Sequence, residues 1–477
     1  MTHHGKKLNL STDSLAALVL IVLQTVFLLV NFNIGFNLWL YIIVAVITLL
    51  FSFIKPRAGL FALITLTLIF AKHFTLQSLW LGDEEYKLYL VDIFLLAILG
   101  RAVLELLAGK IKWQIRKVDV WLGLFLALTI VYFLLSWLVW NGSFNLAFSS
   151  LKNYFFYPLL FWLALFWLDS KEHLHRLFKF VMAGSVIIIG FIAYGLITGQ
   201  GLWTEITPLS TFGSRILDFD HAFYLCLVSL FGLSYVVIKQ DRWAKWWQLL
   251  LFIFAIGIIG SLMRHLWIAL AVGLVVVYVL ARQQRQLLRQ VAVKYLAIVA
   301  MILAAAFFLA INLPNTQFSQ ESADVQYQLT TRATSLADSS DTSIAWRRTV
   351  WQGAWKEYKN NLTLGLGFGQ KIFIDMGDYR DYVEVRNIHN SWLAIFVQMG
   401  LLGFVVLIIF LLLSIKQLLQ QKLAEPDLII VRIGVASSLA FCLVAFLFQP
   451  YLEANFFNII FWLNLGLGRR LYEGITS

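Results

Sequence analysis

Long runs of apolar residues, separated by short polar loops, occupy most of this 477-residue chain. Many of these runs reach the roughly 20 residues that an α-helix needs to cross the hydrocarbon core of a bilayer. The pattern predicts about 12 to 14 transmembrane helices, with boundaries drawn to within a few residues. The predicted spans lie near residues 14–31, 36–54, 58–73, 87–107, 119–140, 152–168, 176–198, 220–238, 246–261, 264–281, 294–312, 391–415, 427–448 and 455–470.

One long polar segment interrupts this series and divides the chain. We predict N-terminal transmembrane helices in residues 1–150, a transmembrane core in 151–312, a large loop in 313–390 and C-terminal transmembrane helices in 391–477. Within the loop, residues 342–360 resemble an amphipathic helix with Arg347, Trp351, Trp355 and Tyr358 on one face. Such a helix is expected to lie at the membrane interface. A glycine-rich stretch at 365–369 follows and predicts a flexible turn.

The composition agrees with burial in lipid. Hydrophobic residues make up 60% of the chain and charged residues only 13%, whereas soluble domains carry about 25% charged residues. Cys226 and Cys442 both lie inside apolar runs, so the sequence predicts neither a disulfide framework nor a cysteine metal site. The fold class predicted is an all-α polytopic membrane protein with one large extracytoplasmic loop that contains an amphipathic helix.

The net charge of +11 reflects membrane topology. Basic residues concentrate in alternate short loops, among them 110–117, 239–245 and 282–294, which is the bias typical of cytoplasmic loops. This arrangement favours cytoplasmic termini and gives no indication of a nucleic-acid partner. It places Lys152, Arg215, Arg264 and the whole 313–390 segment on the extracytoplasmic side.

Several short motifs occur in a fixed order along the chain. Two loop arginines, Arg215 and Arg264, precede apolar spans, and an Arg-x-x-x-Trp motif begins at Arg347. The glycine stretch at 365–369 follows, and then comes His-Asn-x-x-Leu from His389, with two glycines downstream at 400 and 403. Over roughly residues 150–470, these motifs resemble the O-antigen ligase and polymerase superfamily, which consists of bacterial membrane glycosyltransferases of the C type. In that family a small residue often follows the second arginine, whereas His265 follows Arg264 here.

The resemblance implies an enzyme whose donor is a glycan on a polyprenyl diphosphate. Its acceptor would be a hydroxyl of a glycan, lipid or protein at the outer face of the bacterial cytoplasmic membrane. Arg215 and Arg264 would stabilise the departing diphosphate, because arginine stays charged and grips phosphate with two hydrogen bonds. His389, with an ordinary pKa of about 6.5, would be the general base.

Three further residues would bind substrate in this interpretation: Arg347, Asn390 and Lys152. The reaction would invert the anomeric centre and need neither metal nor other cofactor. The same chemistry serves an en bloc ligase, which we favour, a glycan repeat-unit polymerase and a protein O-oligosaccharyltransferase.

Other interpretations of these residues remain open at this point. The arginines can reach lipid headgroups, and His389 can simply end a transmembrane helix. Asp218 and Asp220 resemble an Asp-x-Asp metal site. A flippase or transporter of lipid-linked glycans would also contain many spans, but it favours broken helices in matching halves, which we do not find. A scaffold for polysaccharide assembly without catalysis is a third possibility.

Overall fold

The computed structural model of the protein describes residues 11–198, 216–291, 293–294, 342–375 and 380–475. Within these ranges most residues lie in helices, and two small antiparallel β-hairpins are also present. The predicted fold class, an all-α polytopic membrane protein, is therefore confirmed. Arg215 and nearly all of the predicted span 294–312 lie outside the described residues.

The described chain forms two compact units. The first comprises Met1–Ile115, Leu159–Ile188 and the C-terminal end from Glu473. Its elements are α1 (Thr12–Ile34), α2 (Leu38–Ile54), α3 (Pro56–Phe70), α4 (Lys72–Thr75), β1 (Ser78–Leu81), β2 (Glu84–Tyr89), α5 (Leu90–Leu107), α8 (Leu160–Trp167) and the first part of α9 (Lys171–Thr198).

Helix α3 is the centre of this first unit. Pro56 occupies its first turn, where the missing N–H would have no helical partner in any case. Every residue from Ala58 to Ile69 is buried, and α3 packs against α1, α2 and α5. A helix that is apolar on all sides has to be enclosed by other helices, so the first unit is built around it.

The second unit comprises Arg116–Pro158 and Ile189–Tyr472. Its elements are α6 (Lys117–Leu138), α7 (Phe144–Leu151), a π-helical turn (Lys152–Phe156), α10 (Phe219–Lys239), α11 (Arg242–Gly260), α12 (Arg264–Leu280), α13 (Thr342–Tyr358), β3 (Lys371–Asp375), β4 (Arg380–Glu384), α14 (Ser391–Gln420), α15 (Pro426–Ala445), a 3₁₀ turn (Tyr451–Glu453) and α16 (Asn455–Glu473).

The two ends of this second unit are joined by a buried ion pair. Asp119 in the first turn of α6 accepts a hydrogen bond of 3.0 Å from Arg469 near the end of α16, and each side chain is only 1% exposed. The same carboxylate also accepts the N–H of Arg116 at 2.8 Å, which caps α6. Buried charges are tolerated only when they are paired and hydrogen-bonded, so this pair fixes α6 against α16.

Seven helices of the described chain are long and apolar enough to cross a membrane: α1, α6, α9, α10, α11, α14 and α15. Helix α12 with the bent helix that follows it would make an eighth. These helices coincide with predicted spans, but the predicted span 152–168 is not a regular α-helix throughout. It consists of the π-helical turn, a 3₁₀ turn and α8, because Pro158 has no N–H to continue a helix. The predicted total of 12 to 14 includes residues outside the described ones and stays a prediction.

Helix α14 is interrupted at Gly400, whose backbone is left-handed with φ +62°. The interruption leaves the carbonyls of Val397 and Gln398 and the amides of Leu401 and Leu402 without their helical partners. Within a membrane-buried helix, such groups need other partners, because lipid offers none.

The glycine-rich stretch at 365–369, together with Leu362 and Thr363 just before it, supplies the partners. The sequence predicts a flexible turn here, but the structure shows a closely packed one whose backbone pairs with both sides of the break. Its bonds are Leu366 N to Val397 O (2.8 Å), Gly367 N to Gln398 O (3.0 Å), Leu401 N to Leu362 O (2.9 Å) and Leu402 N to Thr363 O (3.3 Å). The polar segment is thereby fastened to α14 at a fixed point.

This joint predicts different outcomes for two Gly→Ala changes. A Cβ atom on Gly400 would lie 2.2 Å from Thr363 O and would force alanine into a left-handed conformation. We expect Gly400→Ala to destabilise the protein by about 1–3 kcal/mol. Gly123 lies inside α6 with nothing within 4 Å of its Cβ position, so Gly123→Ala should stabilise by about 0.5–1 kcal/mol. Thermal unfolding in detergent measures the stability change of each variant. Equal changes in the two variants would contradict the close packing of Gly400 against the glycine turn.

Candidate active site at the start of α14

His389 directly precedes the Asn390 cap of α14 in an unusual backbone conformation. Its φ is +54°, in the left-handed region that residues other than glycine seldom adopt. The side-chain oxygen of Asn390 accepts the Leu393 N–H at 3.0 Å and so caps α14. This cap explains why α14 begins at Ser391. The side-chain oxygen of Asn390 is therefore engaged in holding the helix start.

Ser391 fixes the start of α14 to the segment 446–453, which connects α15 to α16. Its N–H donates to Phe446 O at 2.8 Å, and its hydroxyl donates to Gln449 O at 2.9 Å. The same hydroxyl oxygen accepts the Leu452 N–H at 3.1 Å. Three bonds through one buried residue therefore hold this connecting segment beside His389.

Helix α13 covers His389 from another side. The indole N–H of Trp351 donates to Ile388 O at 2.8 Å, and the ring of Trp346 stands edge-on to the His389 ring with centroids 4.9 Å apart. Val350 and Tyr358 are fully buried against the residues around Ile388. The helix thus packs on the site through one apolar stripe.

The predicted face of α13 is correct except at one position. Arg347 and Trp351 are partly buried and Tyr358 is fully buried, whereas Trp355 is 52% exposed. At about 100° per residue, Trp355 lies at the edge of the stripe that the other three define. It is therefore left outside the packed face.

The surroundings of His389 lower its pKa to about 4. Burial is the main cause, the positive charge of Arg347 adds to it, and the polar side chain of Gln449 opposes both. Burial and a nearby cation both disfavour the charged imidazolium. The ring is consequently neutral at pH 7, the form in which a histidine can accept a proton.

Arg264 is the first residue of α12 and follows a tight, strained turn. Leu262 in that turn has a left-handed φ of +58°. The next residue after Arg264, His265, is buried and lies 2.6 Å from the hydroxyl of Tyr451 through its Nε2 atom. Tyr451 belongs to the same segment, 446–453, that Ser391 holds. The start of α12 and the start of α14 are therefore tied to one piece of chain.

Ile216, three residues before α10, contacts the same turn. Its N–H donates to Gly260 O at 3.2 Å. A Cβ atom on Gly260 would lie 2.2 Å from the Ile216 side chain, so a larger residue at this position would collide with Ile216. Arg215, the other predicted phosphate-binding arginine, lies outside the described residues.

Lys152 is 9% exposed and lies in the π-helical turn, a local irregularity that recurs at functional sites. Its neighbours connect it to the segment 446–453. The side chain of Asn153 donates to Glu453 O at 2.7 Å, and the Tyr154 hydroxyl donates to the Glu453 carboxylate at 2.6 Å. Gln398, next to the break in α14, donates to the same carboxylate at 2.7 Å.

Glu453 was not predicted from the sequence. Burial raises the pKa of its carboxyl, while the nearby charge of Arg386 and the three side chains that donate to the carboxylate oppose the rise. Gln449 and Tyr451 were also missed. The sequence Gln-Pro-Tyr-Leu-Glu could have indicated these residues, because it places polar side chains in a short loop between two predicted spans. That loop is predicted on the same side of the membrane as His389.

Asp218 of the alternative Asp-x-Asp site has a structural role, because its carboxylate accepts the Phe219 N–H at 2.7 Å and caps α10. Asp220, two residues later, is buried. In the parts of the chain that the structure describes, no three His, Cys, Asp or Glu side chains come together as a metal site.

These features define a multi-pass membrane protein whose polar segment closes over the start of one transmembrane helix. Residues 249–408 match the family model described as O-antigen ligase. This match includes Arg264, Arg347 and His389, and it supports the resemblance to the O-antigen ligase superfamily that the sequence motifs indicate. No curated protein matches the chain. The roles of single residues stay predictions.

The influence of Arg347 on His389 gives a testable pH effect. Removing a cation that disfavours the imidazolium should raise the His389 pKa from about 4 towards its ordinary value. We therefore expect Arg347→Gln to move the His389 titration, followed by NMR of labelled histidine, to higher pH. Arg348→Gln is the matched control, because Arg348 is exposed on the next position of the helix. An unmoved titration in Arg347→Gln, or equal shifts in both variants, would contradict the assignment.

Proposed function

We propose that this protein is a C-type membrane glycosyltransferase of the O-antigen ligase kind. It transfers an oligo- or polysaccharide from a polyprenyl diphosphate to an acceptor hydroxyl at the outer face of the cytoplasmic membrane. The observation that supports this proposal best is that the segment 446–453 contacts both the start of α12 with Arg264 and the start of α14 next to His389. Helix α13 with Arg347 covers the same histidine.

In the proposed reaction, the acceptor oxygen attacks the anomeric carbon of the donor sugar. The bond between that carbon and the diphosphate oxygen breaks, and its electron pair leaves with the lipid diphosphate. The hydroxyl proton passes to neutral His389 and from there to solvent. Attack opposite to the leaving group inverts the anomeric centre. Arg264 and Arg215 stabilise the negative charge that develops on the leaving group.

The low pKa of His389 fits this scheme once donor is bound. A base with a pKa near 4 is weak, and the best catalytic pKa lies close to the working pH. Part of the depression comes from Arg347. A diphosphate bound at Arg347 would neutralise that charge and raise the His389 pKa, so the base would strengthen when substrate arrives.

The remaining predicted residues fit binding roles. Lys152 is adjacent in the chain to Asn153 and Tyr154, which donate hydrogen bonds to Glu453. Lys152 would therefore supply a positive charge near the segment 446–453. Asn390 keeps the helix start in place through its side-chain oxygen. No step of the proposed reaction calls for a metal ion, because arginines supply the positive charge.

The decisive test is transfer from a defined lipid-linked glycan to a panel of acceptors by the purified protein. We expect His389→Ala to lose at least about 100-fold in turnover, since general base catalysis contributes on the order of 10²–10⁴. The variant should still insert in the membrane and bind donor. His175→Ala is the control, because His175 is an exposed histidine on α9 in the other unit.

Near-normal turnover by His389→Ala would refute the base assignment. In the same assay, activity should persist in EDTA. Complete loss that magnesium or manganese restores would favour the Asp218/Asp220 alternative. The acceptor panel identifies the subclass, because a polymerase extends lipid-linked repeat units, whereas a ligase moves the glycan off the lipid.

A further inference from the structure

We propose that His265 and Tyr451 are positioning residues, whose side-chain contact fixes the first turn of α12 and with it the direction of the Arg264 side chain. The inference rests on the proposed function in one respect, because Arg264 is taken there as a residue that binds the diphosphate. The contact between His265 and Tyr451 is a feature of the structure itself.

The start of α12 has little support from its own sequence. Met263 occupies the cap position and makes no side-chain hydrogen bond to the helix, although a helix start has N–H groups that a cap normally satisfies. Leu262, one residue earlier, has a left-handed backbone, which persists only where the surrounding structure holds it. The first turn of α12 therefore needs a restraint from another part of the chain.

His265 provides that restraint through its ring. Its Nε2 atom lies 2.6 Å from the Tyr451 hydroxyl oxygen, and the bond is buried. A neutral imidazole nitrogen and a tyrosine hydroxyl can each donate or accept, so this bond forms in either tautomer of the histidine. Because a buried polar group that loses its partner is costly, the bond favours one position of the ring over others.

Tyr451 is a closely packed partner for this bond. Its side chain is buried, and its ring packs against Phe457 and Phe223, with centroids 4.4 Å and 5.0 Å away. The next residue, Leu452, donates its N–H to the Ser391 hydroxyl at 3.1 Å. The Tyr451 hydroxyl is thus held at a fixed place relative to the start of α14.

A fixed His265 also determines where Arg264 points. Successive residues of an α-helix are about 100° apart, so a ring held at His265 limits rotation of the first turn about the helix axis. Arg264 is partly buried, and a guanidinium group binds phosphate through a planar pair of N–H groups that has to face the ligand. The pair consequently places this guanidinium relative to the start of α14, where His389 lies.

His265 is the position at which this chain departs from the motif described above, in which a small residue often follows the arginine. A short apolar side chain, such as that of alanine, could not reach the Tyr451 hydroxyl. The contact thus gives a reason for a histidine at a position that the proposed reaction does not otherwise use.

A positioning role and a purely structural role differ in how changes combine. If the pair acts through Arg264, removal of the Tyr451 hydroxyl weakens diphosphate binding only while Arg264 is present. If the pair only stabilises the fold, the same removal changes binding equally with and without Arg264, or leaves it unchanged. A double-mutant cycle measures this coupling.

The experiment measures, by calorimetry, the binding of a polyprenyl diphosphate without sugar to the full-length protein in nanodiscs. We expect Tyr451→Phe to weaken binding at least about threefold, and to change it less than about twofold in the Arg264→Gln background. His265→Leu should behave as Tyr451→Phe does. His265→Gln, whose amide reaches as far as Nε2 and can donate or accept, should keep binding near the wild-type value.

Tyr224→Phe is the matched control. Tyr224 is also buried and packs against Phe457, but its hydroxyl donates to Phe456 O of α16 at 3.0 Å. The change removes the same atom from the same interior without breaking a bond to α12. Diphosphate binding should therefore stay within about twofold of the wild type, both with Arg264 and in the Arg264→Gln background.

Additive effects of Tyr451→Phe and Arg264→Gln, or an unchanged affinity in Tyr451→Phe, overturn the inference and leave the proposed function intact. If Arg264→Gln binds the diphosphate as the wild type does, the phosphate role of Arg264 in the proposed function fails, and the inference fails with it. If only one of Tyr451→Phe and His265→Leu gives folded protein, that variant completes the cycle. Failure of both to fold, while Tyr224→Phe folds, would show a structural role and overturn the inference too.

Discussion

The hydrogen bonds of Ser391 are the constraint on which the candidate site depends. A helix start presents N–H groups that need partners, and in α14 one of these, together with a hydroxyl, is directed to the segment 446–453. That segment carries Gln449 to His389 and Tyr451 to His265. Through one buried serine, a segment about sixty residues further along the chain lies beside His389.

The hydrogen bonds between the glycine turn and the break at Gly400 also hold the polar segment against α14. Because the turn satisfies the open backbone groups of α14, the polar segment has a fixed attachment within an apolar helix. Gln398, adjacent to the break, then reaches the Glu453 carboxylate. The two glycine motifs, separated by about thirty residues, act as one structural device, in agreement with the rule that buried backbone groups find partners.

Local patterns in the sequence were sufficient to predict the helices. The predicted span 119–140 matches α6 (Lys117–Leu138), and the predicted start at residue 391 matches α14, since runs of about 20 apolar residues have few alternatives in a membrane. The placement of His389 at a helix start follows from the same reasoning. The β3–β4 hairpin inside the polar segment was not predicted, because its strands of five residues carry only a weak alternation.

What the sequence could not provide was the set of long-range contacts. Nothing in the local pattern pairs residue 366 with residue 397, or Tyr154 with Glu453, since such bonds depend on how helices pack. The pKa of His389 also differed from expectation, because burial and Arg347 act on it only in the folded protein.

The most direct measurement is a cryo-EM structure of the protein with a non-hydrolysable polyprenyl diphosphate sugar. We expect diphosphate oxygens within about 3 Å of the guanidinium groups of Arg264, Arg215 and Arg347, with the anomeric carbon directed to the His389 ring. A diphosphate bound away from the starts of α12 and α14, or a sugar that does not reach His389, would contradict it.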